Sequence, residues 1–451
     1  MSTGGTIIKT IWQYSESLPE ETMEFLRGIA SDYCRVKNSI YKRYSGIGSV
    51  NKLTPVYTVL NEMRYSGLRE QLNLPSVYYE LAIADAVTDI KASWGVVKNK
   101  IGDLITANDN LSAQDRLYLR TVLRLNNVYA AILNREEYEM PQNAQGLEID
   151  VKRLNSLLCR LTRKYLKTPE TDNMSSFRIS PNGYSYKDGA MRIVCRTPRK
   201  RIPIPLRDDR TFDRQIQIHI KNDFVALAIP IEAKVKKHDD YINTVYIHVG
   251  YQDMFTLSNG RVYGKALDAL VSPETQRLAK KNRERRKMYT VYMQNAENGN
   301  IKKADAIENN NLGKLKYDRQ KEKERLRTTA YINSEINKML RTEKPREIVV
   351  TKPVTKNKAE YRSKSVNRKL SRSFYSYIRE RLLYKCRLNG VQLVEINSKG
   401  TGKRCAVCGA QGKRQGIEFL CEACGAKTTV PLNSAKNIEA KYKGSYVSTC
   451  E

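Results

Sequence analysis

Cys405-Ala406-Val407-Cys408, twelve further residues, Cys421-Glu422-Ala423-Cys424 and then Asn433-Ser434-Ala435-Lys436-Asn437-Ile438 is the stretch from which the rest of the chain is read. Two Cys-x2-Cys pairs at this separation suit the two knuckles of a tetrahedral thiolate shell, so the four cysteines are read as zinc ligands. Gly409 and Gly425, one after each pair, let the backbone turn tightly beneath the metal. All four positions are protein ligands, so none is left to activate water and the zinc is structural. The competing reading, a redox dithiol, needs only one such pair. Cys34, Cys159, Cys195, Cys386 and Cys450 are scattered and read as core or incidental thiols.

Upstream of the ribbon, Phe374 to Leu388 has helical spacing and stops at Asn389-Gly390, and Val391 to Ile396 reads as a strand. Glu347 to Val350 is a short apolar strand, and Lys352 to Arg372 is basic and loop-like. Two long charged helices, Pro273 to about Asn298 and Leu315 to Leu340, flank a loop at Asn309-Asn310-Asn311. Before them Asn243 to Gly264 reads as a hairpin, with a strand over Thr244 to Ile247 and a turn at Ser258-Asn259-Gly260.

The amino-terminal part begins with a strand, Thr6 to Trp12, and Ser17, Pro19 and Glu20 read as a helix start with a capping box. The pattern is then helical to about residue 169. Leu26, Ile29, Ala30, Tyr33, Cys34, Ile40 and Tyr41 recur at three and four, broken only by Lys37. Ser76 to Ile105, Ser112 to Asn134 and Glu148 to Lys167 read similarly. Near residue 171 the period changes to two, and Phe177 to Val194 and Gln215 to Ile231 are expected to be antiparallel strands of a small barrel.

Lys and Arg number 79 against 48 Asp and Glu, a net charge of +31. A field of that sign draws polyanions, so nucleic acid is the leading partner. Candidate backbone contacts are the loop Arg199-Lys200-Arg201, the helix carrying Arg277, Lys280, Lys281, Arg283, Arg285, Arg286 and Lys287, and Lys356, Arg362 and Lys364 in the basic stretch. The alternative for each is a solvated basic face. No run of about 18 apolar residues occurs and Met1 to Trp12 lacks the order of a signal peptide, so no membrane role and a cytoplasmic, nucleoid-associated prokaryotic location are expected.

Several residues around the cysteines resemble one family: Tyr384-Lys385, Gly390, Thr401-Gly402-Lys403-Arg404 before Cys405, the N-S-A-K-N-I run after Cys424, and Leu257-Ser258-Asn259-Gly260 in the hairpin. The chain resembles TnpB, the transposon-associated RNA-guided nuclease, and the related small type V CRISPR effectors. The likeness covers roughly residues 241 to 451; ahead of it the order of elements is similar too. It implies a multi-domain α/β fold: an N-terminal helical recognition block and a small β-barrel wedge domain, followed by an RNase H-like RuvC domain with an inserted zinc ribbon. The implied boundaries are 1–16 for the first wedge strand, 17–170 recognition, 171–240 wedge barrel, 241–402 RuvC-like, 403–428 ribbon and 429–451 the returning RuvC-like segment.

A RuvC-type nuclease holds two divalent ions between carboxylates. The family supplies these from the end of the first strand, from the end of a second apolar strand and from a position two residues before the N-A-A-x-N-I run. Here the three positions are His248, Thr351 and Pro431, and hydroxyl and pyrrolidine cannot replace hard oxygen ligands for magnesium. The expectation is therefore a catalytically inactive RuvC-like fold with structural zinc and no catalytic magnesium. Its partners would be a guide RNA and target double-stranded DNA, and it would act on transcription either by occupying the target or by recruiting RNA polymerase or a sigma factor. A homodimer is compatible with the family. Two alternatives stay open: an active RNA-guided nuclease with unconventional ligands such as His248, and a guide-free DNA-binding accessory protein of a mobile element.

Overall fold

The computed structural model describes residues 5–250, 252–265, 267–313, 315–352 and 374–444. The chain forms two compact units, one of Ile8–Glu232 and one of Ala233–Glu451 with Met1–Ile7. It is a mixed α/β, multi-domain protein. Among the described residues no helix is long and apolar enough to cross a membrane.

In the unit nearer the amino terminus β1 (Thr6–Tyr14) precedes α1 (Glu20–Tyr44), α2 (Val56–Arg64), α3 (Leu68–Gln71), α4 (Ser76–Thr106), α5 (Ala113–Arg124), α6 (Asn126–Asn134) and α7 (Val151–Tyr165). The three-and-four spacing does what it predicts: Met23, Leu26, Ile29, Tyr33, Val36 and Ile40 of α1 are buried in one core with Tyr78, Ile83, Ala86 and Ile90 of α4. The capping box is corrected. Pro19 is the N-cap and has no side chain to cap with, while the Ser17 hydroxyl turns to Asp223 at 3.1 Å. The helix expected over Ser112 to Asn134 is broken at Leu125, whose extended backbone (φ −91°, ψ 100°) ends α5 and starts α6. The true cap at its start is Ser112, which forms a reciprocal box with Asp115.

The strands that follow are β2 (Ser176–Ile179), β3 (Tyr184–Lys187), β4 (Ala190–Val194), β5 (Arg201–Pro205), β6 (Ile216–Ile220) and β7 (Val225–Lys234). They form two sheets, β1-β7-β6-β2 and β3-β4-β5, rather than one ladder. The expected exposed loop at Arg199-Lys200-Arg201 is half right, because Arg201 already pairs with Val194 as the first residue of β5. Pro203 and Pro205 hide that strand from a sequence reading. Both are tolerated because β5 is an edge, where a missing N–H costs no ladder bond.

The second unit contains β8 (Asn243–Val249), β9 (Phe255–Leu257), β10 (Val262–Tyr263), α8 (Leu267–Glu297), α9 (Ile301–Asn311), α10 (Leu315–Glu343), β11 (Pro345–Thr351), α11 (Tyr375–Leu388), β12 (Gln392–Ile396), the short β13 (Lys413–Gln415), β14 (Glu418–Leu420) and β15 (Lys427–Thr429), and α12 (Val430–Tyr442). Asn309-Asn310-Asn311, expected as a loop, is the last turn of α9; packing on α8 through buried Ala304 outweighs the weak helix preference of asparagine. Sheet order is β10-β9-β8-β11-β12, with β8, β11 and β12 parallel and β9 and β10 added as antiparallel strands. Parallel neighbours need helical crossovers, which α8 to α10 and α11 supply. This is the RNase H-type order that the resemblance implies. One face of the sheet packs Val245, Ile247, Ile348 and Val350 on α10 and α11 residues such as Ile336 and Leu382. The other packs Tyr246 and Val349 on Ile438 of α12.

Candidate functional site

The four cysteine sulfurs all lie within 4.8 Å of one another, with Cys405 to Cys424 at 3.7 Å and Cys408 to Cys421 at 3.5 Å. Four thiolates around a zinc at about 2.3 Å would stand roughly 3.8 Å apart, so the donor set fits such a metal. The backbone of both knuckles is built alike. Gly409 N–H donates to Cys405 O (3.0 Å) and Gly425 N–H to Cys421 O (2.8 Å), while Cys405 and Cys421 N–H return to Ala410 O and Ala426 O. Gly409 and Gly425 sit at φ +79° and +70°, which an L side chain adopts only with strain. The Cys424 backbone N–H pulls the Cys421 thiol down to about 7, while Cys424, with the Ala426 N–H opposing, is pushed up to about 12 by the Cys408, Cys421 and Cys405 sulfurs, so the four thiols share their protons.

What fixes this ribbon in place are the asparagines of the run after it. Asn433 Oδ1 accepts from Ala406 N–H (2.9 Å) and its Nδ2 donates to Arg404 O (2.7 Å). Asn437 Nδ2 donates to Thr401 O (2.9 Å) and Arg404 O (2.8 Å). Both side chains are buried, so α12 and the neck of the ribbon are held through four bonds that water cannot replace. The hairpin turn is held comparably: the buried Glu343 carboxylate accepts from Arg261 (3.1 Å), Asn259 (3.4 Å) and the Tyr263 hydroxyl.

His248 and Thr351 occupy the end of the sheet at which β8 and β11 finish. Val350 pairs with Ile247, so Thr351 is level with His248, one residue further on both strands. Alternation puts both on the face of Tyr246 and Val349, the face covered by α12. Pro431 is in the first turn of that helix. Those first-turn amides have partners already: Val430 N–H goes to Ile417 O (2.7 Å) and Leu432 N–H to Thr429 Oγ1 (3.3 Å), and Pro431 has none to give.

Burial, with the positive charge of Arg414 second, lowers His248 to about 4, so its imidazole is neutral at pH 7. Arg414 comes from β13, and its guanidinium occupies the space beside Gly402, where a Cβ would stand 2.5 Å from Nη2. The sequence reading missed Arg414, which no motif marks. Glu395 of β12, near this end, is paired with Arg379 of α11, and Glu347, at the opposite end of β11, accepts from the Tyr442 hydroxyl (2.7 Å). Among the described residues the cysteines are the only group of three or more His, Cys, Asp or Glu side chains close enough to share an ion.

The basic candidates separate into two kinds. Arg277 is clamped by both oxygens of Glu274 (2.6 and 2.7 Å), Lys281 pairs with Glu284 (3.0 Å), and Arg285 caps α9 by donating to Leu312 O and Gly313 O. Lys280, Arg283, Arg286 and Lys287 are exposed and fall within about 120° of the circumference of α8 at about 100° per residue. Arg199, Lys200 and Arg201 are exposed, Arg199 at φ +64°. Lys356, Arg362 and Lys364 lie outside the described residues, as does Cys450.

A family model described as Cas12f1-like, TNB domain, matches residues 375–438, from α11 through the ribbon into α12. The CRISPR-associated endodeoxyribonuclease Cas12f1 of Sulfoacidibacillus thermotolerans is 33% identical over 67 residues; the match spans 14% of this chain and 16% of that relative. Solved structures align along most of the chain. They include a Cas12f1-sgRNA-target DNA complex (14% identity, TM-score 0.28, 96% of this chain and 98% of that one) and CasPhi-2 bound to crRNA (10% identity, TM-score 0.43, 98% and 99%).

Proposed function

We propose, from the premise that the chain belongs to the TnpB-like family of small type V effectors, that it binds double-stranded DNA under the direction of a guide RNA and holds its target without cutting it. The family is of the RuvC-like endonuclease type, so the proposal departs from it in one respect, the absence of cutting. The observation that carries the reading is the set of side chains at the end of the sheet where β8 and β11 finish. A neutral imidazole, a hydroxyl and a pyrrolidine ring stand at the three positions from which carboxylates would cage two divalent ions. Arg414 adds a fixed positive charge beside His248, which opposes cation binding there and attracts phosphate instead.

Loss of cutting leaves binding intact, because base pairing between guide and target strand supplies the sequence specificity while protein holds the heteroduplex by its backbone. The exposed face of α8 and the loop at Arg199 and Lys200 offer such contacts, and the +31 charge offers the field. We assign the helical block to recognition and the sheets beside it to the wedge domain. The four cysteines take zinc, which when bound supplies a cross-link and no chemistry on substrate. A target that is held and not cut is regulated by occupancy, either by blocking RNA polymerase or by bringing polymerase or a sigma factor to a promoter.

The test is a footprint. Purified protein should carry a discrete small RNA, and replacing the guide segment should move the protected DNA to the newly matched site. Protection that stays where it was after guide replacement, or that survives ribonuclease with the same sequence preference, rejects the reading.

A further inference from the structure

The outer face of the sheet β1-β7-β6-β2 is polar on β2 and β6, where Arg178 and Gln217 pair, and turns apolar over β7 and β1, where an antiparallel sheet is usually polar on one face. On the central strand β7, Val225, Leu227 and Ile229 are in the core, which leaves Ala226 and Ala228 on the outer side. Both alanines are nevertheless buried. Trp12 of β1 and His219 of β6, which pairs directly with Ala226, meet across them with ring centroids 5.3 Å apart. Two residues on, Tyr14 meets Phe224 edge-on at 6.3 Å, and the Arg207 guanidinium lies 5.3 Å from the Phe224 ring centre.

Small residues on the middle strand thus form a floor for rings arriving from both neighbours, and the upper surface of those rings stays open. Trp12 is 45% exposed, Tyr14 42% and Ile8 71%. Exposed apolar side chains gathered in this way mark a binding surface. The rim is basic, with Arg207, Arg210 and Lys221 all exposed. Arg210 donates to the Trp12 carbonyl (3.1 Å) and is braced by Asp208 (2.8 Å). Burial and then the Lys221 ammonium lower the pKa of His219, so at pH 7 it adds a neutral π-face beside the indole.

We propose that Trp12 and His219 form a stacking platform for an unpaired nucleotide of the guide RNA, with Arg207, Arg210 and Lys221 facing its phosphates. Flat aromatic surface with a cationic rim is complementary to a base on an anionic backbone, because every base has a π-face. An open row of Ile, Trp and Tyr is an association liability unless it is covered, so the occupant is the strand the protein always carries and not DNA met only at a target. The inference rests on the proposed function only in that the chain carries RNA.

Only two tryptophans occur, and Trp94 is buried against Tyr129, so Trp12 reports on its own platform. Full-length protein freed of RNA is titrated with a ten-nucleotide oligoadenylate RNA, following tryptophan fluorescence and the anisotropy of an end label. The expected result is quenching at saturation. Trp12→Ala should weaken binding roughly 5- to 150-fold with an unchanged salt slope, and Trp12→Phe should recover most of the loss, which a folding defect would not. Lys221→Ala should instead lower the salt slope by about 0.7. Wild-type binding that Trp12→Ala leaves untouched overturns this inference alone. Failure of the wild-type chain to bind RNA at all overturns it together with the proposed function. If Trp12→Ala converts a dimer to a monomer in mass photometry without changing RNA affinity, the face is a protein interface and the proposal falls.

Discussion

Two asparagines and one glutamate of the second unit owe their place to what they hold. Asn437 satisfies Thr401 O and Arg404 O from a buried position. Replacing it by alanine removes the Asn437 donor from Thr401 O and should cost about 1–3 kcal/mol, read as a lower denaturation midpoint with the same guide affinity per folded molecule. His248 gives a pH prediction of definite sign. Its pKa is about 4 in the fold against about 6.5 in an unfolded chain, so its contribution to stability is complete above pH ~6.5 and is lost as pH falls toward 4. The His248 imidazole resonance in NMR should stay in its neutral position down to pH 5; a midpoint near 6.5 would contradict the buried site beside Arg414. At this scale the cysteine cluster was legible, because spacing carries it. Arg414 was not legible: its importance comes from the guanidinium reaching past Gly402, and a lone arginine among 79 basic residues gives no sign of that.

Among the elements, the ribbon and α8 carry opposite lessons. The ribbon strands β13 to β15 have three residues each and a small core around Phe419, too little to fold unaided. Chelation or Cys421→Ser should therefore melt the ribbon and expose its glycine-rich turns to protease, while α1 and α4 stay protected from hydrogen exchange. In α8 a row of seven basic residues reads as one surface in sequence, but the structure divides it. Charge reversal at Lys280, Arg283, Arg286 and Lys287 should reduce the salt dependence of nucleic-acid binding by about 0.9 per lost phosphate contact with little change in stability. Arg285→Ala should instead loosen the end of α9 that it caps, leaving the salt slope unchanged. Helix existence was legible from period and its breaks were not. Leu125 interrupts a continuous apolar pattern, and β5 is hidden by two prolines that only an edge strand accommodates.

Across the whole molecule the RNase H-type order of the second unit was legible from a hairpin motif, two apolar strands and a terminal helix, because each follows the last in a fixed sequence of crossovers. The two-sheet arrangement of the other unit was not, since a period of two says that strands pair without saying with which partner. The charge of +31 and the residues at the end of β8 and β11 together motivate the proposed function, binding of a guided target without cutting it. The direct test is to incubate the guide-loaded protein with matched double-stranded DNA and magnesium or manganese, and to resolve both strands on a denaturing gel while a parallel sample is footprinted. Full-length strands from a fully protected target are the predicted result; severed strands, with cutting abolished by His248→Ala, would contradict it.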